Sequence, residues 1–490
     1  MTETSSGVIE QVLEAPLFIG GEWITGPEFE DRIGPFLNQV VSRSTTANAG
    51  QIQRALQLAK EYSKVIANTK PFERAEVLER AAFLTTSRSE ELAKLLALEL
   101  GKPLKDSIGE IVRVADTFAI CASEARRLGG ELLGAEGWER GSGTTALTYR
   151  APVGVVLTIT PFNAPANLLA HKLGASYAAG NTTLVKPPPQ APASSAAIVK
   201  VLLEAGMPFQ AVQILNGGVE VGSALSASEV VAAISFTGSA KAGAAVARTA
   251  GPKRLVLELG GNAATIVLAD ADLDNAAANC AKTGFSNSGQ SCISVQRIYV
   301  HSSVIDSFSS ILTSQVQRLK VGDPLDPTTD IGSMVDVTAA SRIIDWVGEA
   351  RANGATITTG AQRHQATVVP TVVVRPPKDS KVVKEEAFGA LVVVIPFDTL
   401  DEVISECNQS NYGLQAGIFT NDVKAIFKVF RELEVGGLIV NGSSNYRLDH
   451  VPFGGVKDSG IGRESPRFMI EDYTYIKTMM LRGISLWGDE

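Results

Sequence analysis

Short apolar runs that suit strands alternate with longer helical stretches along most of this 490-residue chain, and that alternation constrains the fold most. The candidate strands lie at 153–160, 182–186, 212–215, 232–236, 255–259 and 265–268, then at 298–300, 368–374, 391–396, 417–420 and 438–441. They are rich in Val and Ile and apolar on both faces. Such a strand must be covered by helices on two sides, since a face left in water forfeits its burial. The stretches 166–179, 193–205, 240–250, 275–283, 304–319, 341–352 and 423–433 carry the helical period. A strand–helix–strand rhythm implies parallel sheets in an α/β fold. Residues 1–130 differ: 60–87 and 90–129 read as long helices with little strand between them. Strand 255–259 runs into Gly260-Gly261, which marks a hinge between two α/β units.

Charge and cysteine usage narrow the function. Lys plus Arg number 44 and Asp plus Glu 52, a net charge of −8 without basic runs. That composition argues against a nucleic-acid partner. The four cysteines, at 121, 280, 292 and 407, form no CxxC pair and no cluster with the four histidines, so neither a disulfide scaffold nor a metal site is expected. Residues 1–7 lack the basic and apolar segments of an export signal, and the longest apolar runs, such as 391–395, are strand-length. A soluble protein in the cytoplasm, with no membrane partner, is the expectation.

Several residues stand where chemistry is done. Cys292 follows the small, polar run Phe285-Ser286-Asn287-Ser288-Gly289-Gln290-Ser291. Free backbone N–H groups in such a loop lower a thiol pKa or hold an oxyanion, so Cys292 reads as a nucleophile or as a small core residue. Cys121, Cys280 and Cys407 fit helical apolar patterns and read as packing. Glu258 interrupts Leu255-Val256-Leu257-Glu258-Leu259. A carboxylate there is either a buried group of raised pKa, fit for a general base, or a strand-end residue turned to solvent. Asn163, in Pro161-Phe162-Asn163-Ala164-Pro165, is an oxyanion donor or ordinary turn chemistry. Lys186, at a strand end before three prolines, suits a phosphate or ribose, or is simply solvated. Phe236-Thr237-Gly238-Ser239 follows a strand and opens a helix, a place for an anion, although no GxGxxG occurs. The loop 452–464 has four glycines in thirteen residues. The pair Glu385-Glu386, near Phe388, holds a ribose or makes a surface corner.

In order along the chain, Pro161-Phe162-Asn163, Lys186-Pro187, Phe236-Thr237-Gly238-Ser239, Leu257-Glu258-Leu259-Gly260-Gly261, Gly289-Gln290-Ser291-Cys292, Glu386-Ala387-Phe388-Gly389 and the Pro-Phe-Gly-Gly-Val-Lys run from Pro452 closely resemble the NAD(P)-dependent aldehyde dehydrogenase superfamily. The resemblance runs from about Ile19 to the tail. It implies an aldehyde dehydrogenase-like α/β fold with three parts. An atypical Rossmann cofactor domain takes 1–130 and 151–257. A catalytic α/β domain takes 258–441, and 442–469 returns as an active-site loop. A small β oligomerisation flap takes 131–150 and 470–490, so a homodimer or homotetramer is expected.

The resemblance also implies roles. Cys292 attacks the aldehyde, Asn163 and the Cys292 N–H hold the oxyanion, Glu258 activates water against the thioester, and Lys172 and Glu464 relay its protons. The cofactor, NADP or NAD, would meet Thr160, Pro161 and Phe162, then Lys186, Pro189 and Gly222. Phe236, Thr237, Gly238, Ser239, Leu259, Gly260, Glu386 and Phe388 complete that set. Many NAD-selective members carry Glu where this chain has Pro189, so the preference is expected to lean to NADP. A second departure is Ala390, where the family usually has Pro. The substrate tunnel would draw on Arg113, Phe162, Ser291, Ile293, Arg447 and Phe453. Its two arginines either clasp an anionic tail or make internal ion pairs. The wording of His171-Lys172 and Ser294-Val295-Gln296-Arg297 is nearest to lactaldehyde, non-phosphorylating glyceraldehyde-3-phosphate and semialdehyde dehydrogenases. A short acidic or hydroxylated aldehyde is therefore expected. The alternatives are a broad-specificity or aromatic aldehyde dehydrogenase and a CoA-acylating semialdehyde dehydrogenase, the last disfavoured because Glu258 is present.

Overall fold

The computed structural model describes residues 11–484. Two mostly parallel sheets dominate. The first has eight strands, with Gly460–Ile461, Arg254–Glu258, Ala233–Thr237, Val155–Ile159, Thr182–Lys186, Val212–Ile214, Leu17–Ile19 and Glu22–Ile24 in spatial order. Its inner five run parallel, and the strands at both margins pair antiparallel. The chain goes from Val155–Ile159 outward one way to Val212–Ile214. It then returns to place Ala233–Thr237 on the other side of Val155–Ile159. This reversal opens a crevice beyond the C-terminal ends of those two strands, where open α/β sheets bind ligands.

The second sheet has seven strands, ordered Thr356–Thr359, Thr371–Val374, Leu391–Phe397, Arg297–His301, Ala264–Val267, Gln415–Phe419 and Gly437–Val440. All but the first run parallel. Both sheets are buried on two faces, as the unbroken apolar runs require. The chain passes from one sheet to the other between Glu258 and Ala264. A separate three-stranded antiparallel sheet joins Leu132–Leu133, Thr144–Pro152 and Thr474–Arg482.

Strands Leu13–Ala15, Leu17–Ile19, Glu22–Ile24, Phe29–Ile33 and Val40–Thr45, which were not among the expected strands, precede four helices, and no strand interrupts those helices. Three expectations need correction. The two long helices expected are four, Ala49–Ala67, Pro71–Ser87, Ser89–Leu100 and Leu104–Arg127. Pro71 starts one, and Gly101, left-handed at φ 67°, ends another. The strand expected at 368–374 is interrupted at Pro370, which has no N–H for a ladder. The strand expected at 153–160 starts at Val155, because Gly154, at φ 111°, turns the chain out of the flap strand. Residues 1–10 and 485–490, including Trp487 and the end of the expected flap, lie outside the described residues. Among the described residues no helix is long and apolar enough to cross a membrane.

Candidate active site

The site forms where the chain crosses between the two sheets. Glu258 ends its strand with only 3% exposure, and neither carboxylate oxygen has a hydrogen-bond partner among the described residues. Burial, then the nearby Glu464 charge, raises its pKa well above the carboxylate range, against the pull of Lys172, Arg447 and Arg463. The solvent-turned alternative is thereby removed. The glycines beyond it are sterically required. A Cβ on Gly261 would run into the Cys292 carbonyl, one on Gly260 into the Glu386 carboxylate, and one on Gly454 would stand 2.9 Å from Glu258 Oε1.

Cys292 is presented by a hooked loop. Asn287, Ser288 and Gly289 take successive positive φ values of 50°, 55° and 74°. Left-handed backbone at two non-glycine residues is strained and persists only when its surroundings hold it. Here the Asn287 N–H donates to Asp106 at 2.7 Å, and the Ser288 hydroxyl to the Gly332 carbonyl at 3.1 Å. Cys292 is half-buried and packs with Ile293, Leu414 and Phe453. Ser291 closes the turn, its carbonyl accepting from the Ser294 N–H at 3.0 Å. Burial, then the charges of Glu258 and Glu386, push the thiol up to about 12, while Arg447 opposes them.

The loop carrying Asn163 is pinned through its backbone. Its carbonyl accepts from Asn287 Nδ2 at 3.0 Å and Lys102 Nζ at 3.3 Å. Lys102 is paired with buried Glu110 at 2.5 Å, and Glu110 caps the helix starting at Pro165 by accepting from the Ala166 and Asn167 N–H groups. The Asn163 amide itself makes no hydrogen bond among the described residues, so a loop held rigidly leaves its one polar side chain free.

Lys172 comes from the helix that follows. Residues Ala170–Gly174 widen into a π turn, a distortion frequent at functional sites. Lys172 Nζ donates to Glu464 Oε2 at 2.6 Å, and both side chains are fully buried. Arg447 Nη1 donates to Glu464 Oε1 at 2.9 Å, and these cations hold Glu464 far below the ordinary carboxylate range despite its burial. Replacing Lys172 with Met should lower stability by roughly 3–5 kcal/mol, because a buried carboxylate loses a partner. An unchanged thermal midpoint would show that Arg447 suffices to neutralise Glu464.

Arg113 and Arg447 adopt the internal-pair geometry. Arg113 is bidentate to Asp449, at 2.6 and 3.0 Å, and Arg447 joins Glu464 while stacking 4.2 Å over the Phe453 ring. Asp449, and His171 at 2.9 Å from it, are site residues that sequence reading missed as functional groups. The available signal was a carboxylate two residues beyond an expected tunnel arginine.

The crevice of the eight-stranded sheet fits a dinucleotide. Thr160 and Thr237, at the ends of the two strands flanking the reversal, have buried hydroxyls without partners among the described residues. Lys186 is 7% exposed with no ion pair among the described residues, and burial lowers its pKa to about 8. It is not a solvated strand end. Glu386 accepts from the Gly261 N–H at 2.8 Å, and its burial raises it to about 7, whereas Glu385 is exposed. Ser239 caps helix Ala240–Ala250 by accepting from the Ala242 N–H, leaving Gly238 beside the Phe236 ring. Phe162 and Phe388 meet edge to face at 5.8 Å. Gly222 and Pro189 are half-buried, and a Cβ on Gly222 would meet nothing closer than 4.0 Å.

A sheet crevice of this kind, beside a thiol and a buried carboxylate, defines an α/β dinucleotide-dependent enzyme. Residues 23–479 match the model of the aldehyde dehydrogenase family. The chain is 43% identical over 475 residues to a 3-sulfolactaldehyde dehydrogenase of Priestia aryabhattai, spanning 96% of this chain and 99% of that one. Aldehyde dehydrogenase 21 from Physcomitrella patens, solved in complex with the reaction product succinate, superposes with a TM-score of 0.94 at 34% identity, over 97% of this chain and 100% of that one. A glyceraldehyde-3-phosphate dehydrogenase from Methanocaldococcus jannaschii, complexed with NADP, gives a TM-score of 0.90 at 34% identity, over 93% and 100%. The chain belongs to the aldehyde dehydrogenase family. It is an NAD(P)-dependent enzyme of aldehyde oxidation.

Proposed function

We propose that the chain oxidises a short aldehyde with an acidic or hydroxylated tail to its carboxylic acid, using NADP at least as well as NAD. The observation that carries the reading is a buried Glu258 close enough for its charge to act on Cys292, beside the loop of Asn163, whose carbonyl accepts from Asn287 in the Cys292 loop. The Cys292 thiolate attacks the carbonyl carbon. The Asn163 amide and the Cys292 N–H donate to the oxyanion. A nicotinamide held in the crevice would supply the hydride acceptor for the substrate carbon. Glu258 then accepts a proton from the water that attacks the thioester, and the Lys172–Glu464 pair relays it outward. Hydrolysis, and not transfer to CoA, is the outcome that a buried, unpartnered base supports.

Lys186 and Glu386 would hold ribose hydroxyls, and Thr160, Pro161, Thr237, Gly238 and Gly260 would line the crevice, with Phe236 and Leu259 beneath. Phe388 and Phe162 would close the nicotinamide end, and Ser239, Gly222 and Pro189 the phosphate and adenosine end. Pro189 offers no carboxylate to repel a 2′-phosphate. The complex of the related Methanocaldococcus enzyme with NADP supports the same preference. The Priestia relative named for sulfolactaldehyde and the Physcomitrella complex with succinate support an anionic tail. A homodimer or homotetramer built through the flap is consistent with Tyr149, Ile476 and Met480, which stand 60%, 60% and 69% exposed on its strands.

Initial rates of NAD(P)H formation with succinate semialdehyde, lactaldehyde, glyceraldehyde 3-phosphate and benzaldehyde, with and without CoA, test the reading. Anionic or hydroxylated aldehydes should be used best, independently of CoA. Benzaldehyde as the best substrate would favour the aromatic alternative. A preference for NAD above about tenfold, or ~1.4 kcal/mol, would overturn the NADP assignment.

A further inference from the structure

An oxyanion is held only when its donors converge on one point, and the two donors here come from different halves of the molecule. Asn163 stands in the loop that leaves strand Val155–Ile159 of the eight-stranded sheet. Cys292 stands in the loop that enters strand Arg297–His301 of the seven-stranded one. Misplacing either donor by about 1 Å can cost on the order of 10²-fold in rate. Among the described residues one hydrogen bond joins residues 161–165 to residues 285–294: Asn287 Nδ2 donates to the Asn163 carbonyl at 3.0 Å. The other donor to that carbonyl, Lys102 at 3.3 Å, precedes helix Leu104–Arg127, which packs in the same core as strand Val155–Ile159.

Asn287 is tied to both halves. Its Nδ2 also donates to the Gln290 carbonyl at 3.3 Å, inside the Cys292 loop. Its carbonyl accepts from the Gln290 N–H at 3.1 Å and from Gln290 Nε2 at 3.2 Å, while Gln290 Oε1 accepts from the Val335 N–H at 2.8 Å. Its own N–H donates to Asp106 Oδ2, on helix Leu104–Arg127, at 2.7 Å. The residue type follows from the backbone. At φ 50° and ψ 38° the residue is left-handed, a conformation that Gly, Asn and Asp take most readily. Glycine has no side chain to bridge the loops, and aspartate would turn an acceptor towards two carbonyl oxygens. Of the three, asparagine alone both takes the conformation and donates.

We propose that Asn287 is a positioning residue of the oxyanion hole: its amide holds the Asn163 loop at a fixed distance from the Cys292 loop, so that the Asn163 amide and the Cys292 N–H aim at one oxygen. The inference rests on the oxyanion roles given to those two groups above. Asn287 acts through Asn163, and Asp106 fixes the Asn287 backbone from the half that carries Asn163. Attack on the aldehyde and hydrolysis of the thioester both pass through an oxyanion on that oxygen, and the first turnover reads the effect without Glu258.

The test follows the pre-steady-state burst of NADPH, with succinate semialdehyde or lactaldehyde, whichever turns over faster, through a double-mutant cycle. Asn287→Gly keeps the left-handed backbone and removes only the bridging amide. Its first-turnover rate should fall at least about tenfold. Burst amplitude and the KM for the aldehyde should stay within about threefold of wild type, since the loss lies in the transition state. Asn163→Ala should slow the first turnover by about 10²–10³-fold. The double variant should fall no more than about threefold below Asn163→Ala, because no amide is left to aim. A residue that merely keeps the loop folded would lose burst amplitude, or cost its full factor in both backgrounds, and either result overturns the proposal. An unchanged rate in Asn287→Gly overturns it as well. Should that variant not fold, Asp106→Ala, which removes the acceptor of the Asn287 N–H, runs the same cycle, and full additivity there is the refuting result. Asn163→Ala turning over like wild type would instead refute the oxyanion reading beneath the proposal.

Discussion

Replacing Cys292 with Ala should abolish turnover, lowering kcat/KM by about 10⁴-fold or more while the fold survives. No other thiol can substitute. Cys121 and Cys280 are fully buried in helices Leu104–Arg127 and Leu273–Phe285, and Cys407 is 6% exposed in Leu400–Asn408. Burial pushes all three thiols up, Cys407 to about 11. Cys292 alone is half-buried and faces the crossing between the sheets. Its substitution removes one heavy atom beside a small apolar cluster, so the stability cost should stay within about 1 kcal/mol. Steady-state NADPH formation, read beside circular dichroism and a melting curve, checks both halves. A variant that still turns over would place the nucleophile elsewhere.

Replacing Glu258 with Gln should separate the two halves of the reaction. The first turnover, which needs only Cys292 and Asn163, should release one equivalent of NADPH per site as a burst. The steady state should fall by about 10²–10⁴-fold for want of a general base. The burst should not slow at neutral pH, because the Glu258 charge is one of the causes that raise the Cys292 thiol, and glutamine removes it. The pH profile carries the sign. A base of raised pKa loses its function as pH falls through that pKa, so the wild-type steady-state rate should decline on the acidic side. The Gln variant should lack that limb. Equal loss of burst and steady state would assign Glu258 to attack by the thiol and not to hydrolysis.

Much of the fold was legible. The strand expected at 182–186 and the helix at 240–250 keep their bounds in the structure, because a strand covered on both faces and an amphipathic helix leave local apolar patterns. The three-residue strand Leu17–Ile19 left none that was read, although Val212–Ile214, equally short, was expected. Leu17–Ile19 exists because it pairs antiparallel with Val212–Ile214, nearly two hundred residues away. The π turn at Ala170–Gly174 was equally silent, since its residues also satisfy an ordinary helical pattern.

The sequence alone determined the α/β alternation, the crossing at Gly260-Gly261 and the order of motifs that marks the family. Each is written in neighbouring residues, and local steric and burial rules suffice to read it. Tertiary structure alone decided the charges. Lys172 meets Glu464 across 292 positions and Arg113 meets Asp449 across 336, and no periodicity records such a meeting. Whether Lys186 or Glu258 is solvated or stripped of water likewise depends on what the rest of the chain lays over it. Desolvation is a property of the packed surroundings, not of the residue.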